Sequence, residues 1–126
     1  MRKLPLVSWS WKEGRIWDAW MLVHFLSGAA LACVLTLLSF GGVQAYLVAL
    51  GLLVAWEIGE KIGRVEEAIE NLALDVVFGM LGFFLFEQFF LPLVNQRGVV
   101  LILIATLLFA VLGSVLGWVA YKRRGE

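Results

Sequence analysis

Several ionisable or otherwise polar side chains lie inside long apolar stretches of the sequence. Polar groups at such positions are costly in a membrane and usually face the interior of a helix bundle. On a helical rise of about 1.5 Å per residue, four of them are expected at one depth near the cytoplasmic leaflet, whereas Glu87 lies near the opposite face. These four residues are His24, Glu57, Asn71 and Asp75.

The spacing of these residues predicts a shared site. Glu67, Asn71 and Asp75 follow one another at intervals of four residues, and Glu57 and Glu60 are three residues apart. Residues three or four apart lie on the same side of a helix. We predict that Glu57 and Asp75 act as a catalytic acid/base pair with His24 as an auxiliary catalytic group. The predicted substrate-binding residues are Asn71, Glu60 and Glu67.

Facing carboxylates need a compensating positive charge. In a low dielectric they repel one another, so protons, a basic ligand or a metal ion must lie between them. His24, Glu57 and Asp75 are candidate metal ligands, and a divalent ion such as Mg²⁺, Mn²⁺, Fe²⁺ or Zn²⁺ is a candidate cofactor. The alternative is ordinary helix pairing, since Glu57 and Lys61 are four residues apart.

The composition predicts that membrane helices hold these residues. Hydrophobic residues make up 62% of the 126-residue chain and charged residues 16%, which leaves too few polar groups to cover a soluble domain. The bilayer is therefore the expected partner. A nucleic-acid partner is not expected, because no basic stripe with interleaved aromatic residues occurs. The single cysteine, Cys33, excludes an internal disulfide framework.

We predict one all-α domain, an integral membrane bundle of about four transmembrane helices that follows an N-terminal interfacial segment. Tryptophans in residues 1–20 favour the headgroup level for this segment. Turns are predicted at Gly41–Gly42 and at residues 95–98. Pro92 should end the third helix, which begins at about Val65 with its first turns outside the hydrocarbon. The predicted spans cover residues 17–40, 43–58, 71–91 and 99–121.

The distribution of basic residues predicts the orientation. With four spans, both termini lie on one side, and that side carries nine of the ten lysines and arginines, whereas the other carries only Arg97. Because positive loops stay in the cytoplasm, we predict a multi-pass protein of the inner (plasma) membrane with both termini cytoplasmic. The nine residues are Arg2, Lys3, Lys12, Arg15, Lys61, Arg64, Lys122, Arg123 and Arg124.

Small residues predict close helix contacts. Membrane helices associate through close packing and polar contacts, and Gly113 and Gly117 form a small-residue face on the last span. This face is expected either to pack within the bundle or to form a homo-oligomer.

Three segments resemble the VanZ-like family of small membrane proteins. They are His24-Phe25-Leu26-Ser27-Gly28, the segment Trp56–Glu60, and the segment Asn71–Gly82 with its Asn, Asp and glycines. The resemblance covers residues 24–82 and implies a fold and a site location rather than a reaction. The arginine that often precedes the aspartate in that family has no clear counterpart here, and Arg64 is the nearest.

Three functions are compatible with these patterns. The first is binding or modification of a lipid or lipid-linked substrate at the cytoplasmic leaflet. The second is transport of a cation or proton, and the third is a role as a membrane assembly or scaffold protein.

Overall fold

The chain folds as an all-α bundle, as the composition predicts. The computed structural model describes residues 11, 19–62 and 69–123. Each of the four long helices in these ranges is long and apolar enough to cross a membrane. The helices are α1 (Trp20–Leu37), α2 (Gly42–Ile62), α3 (Ile69–Leu85) and α4 (Gln96–Arg123).

Two boundaries differ from the predictions in ways that matter for the site. Helix α2 runs to Ile62 rather than to residue 58, so Glu60 lies inside a regular helix. The turn predicted at residues 95–98 is wrong beyond Asn95, because α4 already begins at Gln96. The side chain of Asn95 accepts a hydrogen bond from the backbone N–H of Gly98 at 2.9 Å, and it thereby caps the helix. The predicted start of the third helix at Val65 lies outside the described residues.

Helix α3 ends in an irregular segment. A π-helical turn covers Phe86–Phe90, and a 3₁₀ turn with Pro92 follows at Leu91–Leu93. Proline has no backbone N–H, and its ring clashes with the carbonyl group four residues earlier, which here belongs to Gln88. Pro92 thus excludes a regular α-helix in this region, but the α-helical part of α3 already ends at Leu85, six residues before the predicted end at Leu91.

Helix α1 is the centre of the bundle. It packs mainly against α3 and α4, while α2 packs against α3 and more lightly against α1. Glycines bring α1 and α3 into backbone contact: a Cβ atom on Gly28 would lie 1.7 Å from the carbonyl oxygen of Gly79, and one on Gly82 would lie 2.1 Å from that of Phe25. No larger side chain fits at this interface, in line with the small-residue contacts of membrane helices.

The small-residue face of α4 packs within the chain. A Cβ atom on Gly117 would lie 2.5 Å from the ring of Trp20, and one on Gly113 would lie 3.2 Å from Val23. Of the two uses expected for these glycines, the structure shows intramolecular packing against α1.

Large apolar side chains cover the exterior of the bundle, whereas several polar side chains are buried between the helices. Leu22, Leu101 and Phe109 are each about 60% exposed or more, and further large hydrophobic residues are exposed on α2, α3 and α4. Between the helices, small residues such as Ala32 and Ala49 surround the buried ring of Phe83. This arrangement fits a multi-pass membrane protein whose surface contacts lipid.

Candidate functional site

Three helices contribute one residue each to a buried polar cluster. His24 lies four residues after the start of α1, Glu57 five residues before the end of α2, and Asp75 six residues after the start of α3. At about 1.5 Å per residue, all three lie roughly 6–9 Å from their helix ends. The cluster therefore occupies one depth near one end of the bundle.

The imidazole of His24 lies between the two carboxylates. Its Nδ1 is 3.3 Å from Oε1 of Glu57, and its Nε2 is 3.3 Å from Oδ2 of Asp75. Both distances are slightly longer than an ordinary N–H···O hydrogen bond. The contacts therefore leave room for the three side chains to move closer together.

Because the three side chains are buried, any unbalanced charge in this cluster costs free energy. His24 is 7% exposed, Glu57 2% and Asp75 1%. Two ionised carboxylates balanced by one imidazolium leave a net negative charge, which is costly away from water. A further proton or a cation at the cluster removes this cost.

Asn71 extends the cluster along α3. It is fully buried and lies one helical turn before Asp75. The two residues therefore share one side of α3, as their spacing predicts. Gly79, four residues after Asp75, is also buried and faces α1 and α2, since a Cβ atom there would meet Leu53 and the backbone oxygen of His24. The predicted face of α3 is therefore the face that packs inward.

Three oxygens of the cluster accept no hydrogen bond from the described part of the chain, although their residues make other contacts. They are Oε2 of Glu57, Oδ1 of Asp75 and Oδ1 of Asn71. Oxygens of this kind are acceptor atoms that also bind cations.

The other two predicted substrate-binding residues are placed differently. Glu60 is partly exposed, and its Oε1 accepts a hydrogen bond from the indole N–H of Trp56 at 2.9 Å. This described contact is made within α2 rather than with the cluster. Glu67 lies outside the described residues.

Comparison with known proteins gives no match to a family model, a curated protein or a solved structure. The resemblance to VanZ-like proteins therefore stays a prediction. What the site can do has to be inferred from its own geometry.

The geometry of the cluster is compatible with a metal ion. One ligand atom each from His24, Glu57 and Asp75 can be chosen so that all three lie within 4.8 Å of one another. Two ligands of one ion, each about 2.1 Å from it, are at most about 4.2 Å apart, so an ion would draw the side chains slightly inward. The long contacts to His24 leave space for this movement.

A second polar group occurs at the opposite end of the bundle. The hydroxyl group of Tyr46 on α2 donates a hydrogen bond to Oε2 of Glu87 at 2.9 Å, and the side-chain amide of Gln88 donates to the same oxygen at 2.6 Å. The sequence placed Glu87 and Gln88 at this end but not Tyr46. The sequence does show a tyrosine within an apolar span. Because its hydroxyl group needs a hydrogen-bond partner there, Tyr46 could have been assigned to a polar group.

Proposed function

We propose that this chain is a membrane protein that binds a divalent transition-metal ion through His24, Glu57 and Asp75. The observation that carries the proposal is the convergence of these three buried side chains from three helices. An imidazole combined with carboxylates suits Zn²⁺, Mn²⁺ or Fe²⁺. A divalent cation would also balance the negative charge of the two carboxylates without further basic residues.

The position of the imidazole determines how an ion can bind. Only one ring nitrogen of His24 can bind a given ion, and in the present arrangement the other nitrogen keeps its carboxylate as a hydrogen-bond partner. Coordination by all three side chains therefore needs His24 to turn out of its place between Glu57 and Asp75, so that one ring nitrogen and one oxygen of each carboxylate face the ion.

Metal content of the purified protein tests the proposal. The protein is stripped with chelator in mild detergent, loaded separately with each of the three ions, freed of excess ion and assayed by elemental mass spectrometry. We expect about one ion per chain for the wild type with at least one metal, consistent with a single ligand set. Loss is expected for Glu57→Gln, Asp75→Asn and His24→Gln.

The chain offers a matched control in Glu87, a carboxylate in a span at the opposite end. Glu87→Gln should retain the ion. Binding also stabilises the folded state, by about 2.7 kcal/mol at a concentration one hundred times Kd, so the melting temperature of the wild type should rise on loading. A wild type that retains none of the three ions, or equal retention by Asp75→Asn and Glu87→Gln, would contradict the proposal.

The membrane and the orientation form part of the same proposal. We place the protein in the inner (plasma) membrane with both termini cytoplasmic, because nine of the ten basic residues then lie on the cytoplasmic side. The metal site is then at the depth of the cytoplasmic leaflet. A reporter that is active only in the cytoplasm should give signal when fused after Glu126 and none when inserted at Asn95. The reverse pattern would refute this orientation.

A lipid or lipid-linked substrate at the same site is a second candidate function. It is favoured by the depth of the cluster, roughly 6–9 Å from the helix ends, and by the three protein ligands, which leave coordination positions open for a substrate oxygen. Without a bound ion, Glu57 or Asp75 would be free to supply general acid/base catalysis. Lipid mass spectrometry of the metal-loaded protein should detect a phosphate-bearing lipid that Asp75→Asn lacks, and equal lipid content in both would count against this candidate.

Transport through a single chain is less well supported. Apart from the cluster, Thr106 is the only polar residue among the described buried ones, and its hydroxyl group bonds to backbone carbonyls of its own helix. The interior between Asp75 and Glu87 contains apolar groups such as Phe83. Ion flux in proteoliposomes no greater than in empty liposomes is the expected result.

A further inference from the structure

The group formed by Tyr46, Glu87 and Gln88 carries an inference that is independent of the metal site. Tyr46 lies four residues after the start of α2, and Glu87 lies six residues before the end of the span at Leu93. On a rise of about 1.5 Å per residue, the group lies roughly 6–9 Å from the helix ends. This is the same depth as the metal site, but at the other end of the bundle.

The hydrogen bonds in this group converge on one oxygen of Glu87. Oε2 of Glu87 accepts from both Tyr46 and Gln88, and the amide of Gln88 also donates to the Tyr46 oxygen at 3.2 Å. These contacts hold the carboxyl group in one orientation. Both donors are neutral groups, so neither brings a positive charge to Glu87.

Within the described residues, no basic side chain pairs with this charge. Arg97 belongs to the same end of the bundle, but it is exposed at the start of α4 and forms no ion pair with Glu87. A carboxylate held at this depth with only neutral partners attracts an external cation.

The surroundings of Glu87 favour an organic cation. Glu87 is partly exposed, and the neighbouring rings of Phe89 and Phe90 are 57% and 50% exposed. The rings of Phe86 and Phe90 pack at an interplanar angle of 42° with centroids 4.9 Å apart, in the same π-helical turn as Glu87. Aromatic faces attract ammonium groups, whereas they offer no oxygen ligands to a metal ion.

We propose that Glu87, with Tyr46 and Gln88, binds the primary ammonium group of a lipid headgroup, as found on phosphatidylethanolamine. The ammonium group contacts the Glu87 oxygen Oε1, to which no described residue donates a hydrogen bond. We take a lipid as the source because the large side chains that follow Glu87 along the chain, such as Phe89 and Leu93, are apolar and exposed, which suits a surface covered by lipid.

Lipid retention measured by native mass spectrometry tests this assignment. Detergent-solubilised protein is mixed with equal amounts of phosphatidylethanolamine, phosphatidylcholine or phosphatidylglycerol. The wild type should retain phosphatidylethanolamine about tenfold better than phosphatidylglycerol, as expected for one charge-assisted hydrogen bond. Glu87→Gln should lose this preference. Glu70→Gln, which alters an exposed glutamate at the other end, should keep it.

Two further measurements keep the result interpretable. The amide oxygen that Glu87→Gln introduces can still accept a hydrogen bond from Tyr46, so the melting temperature of this variant should match that of the wild type. Free ethanolamine should bind neither protein measurably at millimolar concentration. Retention of phosphatidylethanolamine that is equal in wild type and Glu87→Gln would overturn the proposal, and ethanolamine binding by the wild type alone would assign the site to soluble amines instead of lipid.

Discussion

Replacing Gly28 by alanine tests whether the backbone contact between α1 and α3 holds the proposed metal site together. The new Cβ would lie 1.7 Å from the Gly79 oxygen, whereas real contacts of this kind essentially never fall below 3.0 Å. The helices must therefore separate locally by about 1.3 Å, and overpacking of this kind costs about 1–3 kcal/mol.

The same displacement reaches the site. His24 lies one turn before Gly28 on α1, and Asp75 lies one turn before Gly79 on α3. Their contact of 3.3 Å should lengthen by a similar amount, to more than about 4 Å, which is beyond hydrogen-bonding distance. Gly28→Ala should therefore lower both the melting temperature and the metal affinity.

Gly51→Ala is the matched control, because a Cβ atom at Gly51 would meet nothing within 4 Å. Alanine favours helix over glycine by up to about 1 kcal/mol, so this variant should be as stable as the wild type or slightly more stable. Thermal melting in detergent and metal content are measured for both variants. Equal melting temperatures and equal metal content for Gly28→Ala and Gly51→Ala would refute the reasoning.

Three further predictions concern other parts of the bundle. Gly117→Val should lower the melting temperature by displacing the ring of Trp20, 2.5 Å from the new Cβ, and an unchanged melting temperature would show that α4 does not depend on this contact. Asn95→Ala removes the cap bond to the N–H of Gly98 and should cost about 1 kcal/mol in a denaturant titration, whereas Asn95→Asp should cost less. Cys33 is fully buried, so a maleimide reagent should label it only after unfolding in SDS. Rapid labelling of the folded protein would contradict the packing of α1.

The fold was largely predictable, because membrane helices are determined by apolar stretches that can be recognised locally in the sequence. Uninterrupted apolar stretches define membrane helices without reference to their neighbours, and the inward face of α3 follows from the interval of four residues between Asn71, Asp75 and Gly79. The helix ends were less predictable. The sequence of residues 95–98 is typical of a turn, but the cap provided by Asn95 lets α4 begin immediately after it.

The site was predictable in composition but not in arrangement. Depth along the helices indicated that His24, Glu57 and Asp75 lie at one level, since depth depends only on residue number. The position of the imidazole between the two carboxylates depends on how the helices pack around α1, and nothing local in the sequence specifies that. Spacing alone did not place Glu60 correctly. It is three residues from Glu57, but its side chain accepts a hydrogen bond from Trp56 on the same helix.

The placement of His24 on the first helix has a consequence for biogenesis. A protein made from its N-terminus delivers α1 to the bilayer before α2 and α3, so the imidazole is already in the membrane when Glu57 and then Asp75 arrive. Each carboxylate would be expensive to insert alone, but each arrives beside a polar imidazole on a neighbouring helix. The order of the helices along the chain thus lowers the barrier to inserting the acidic spans.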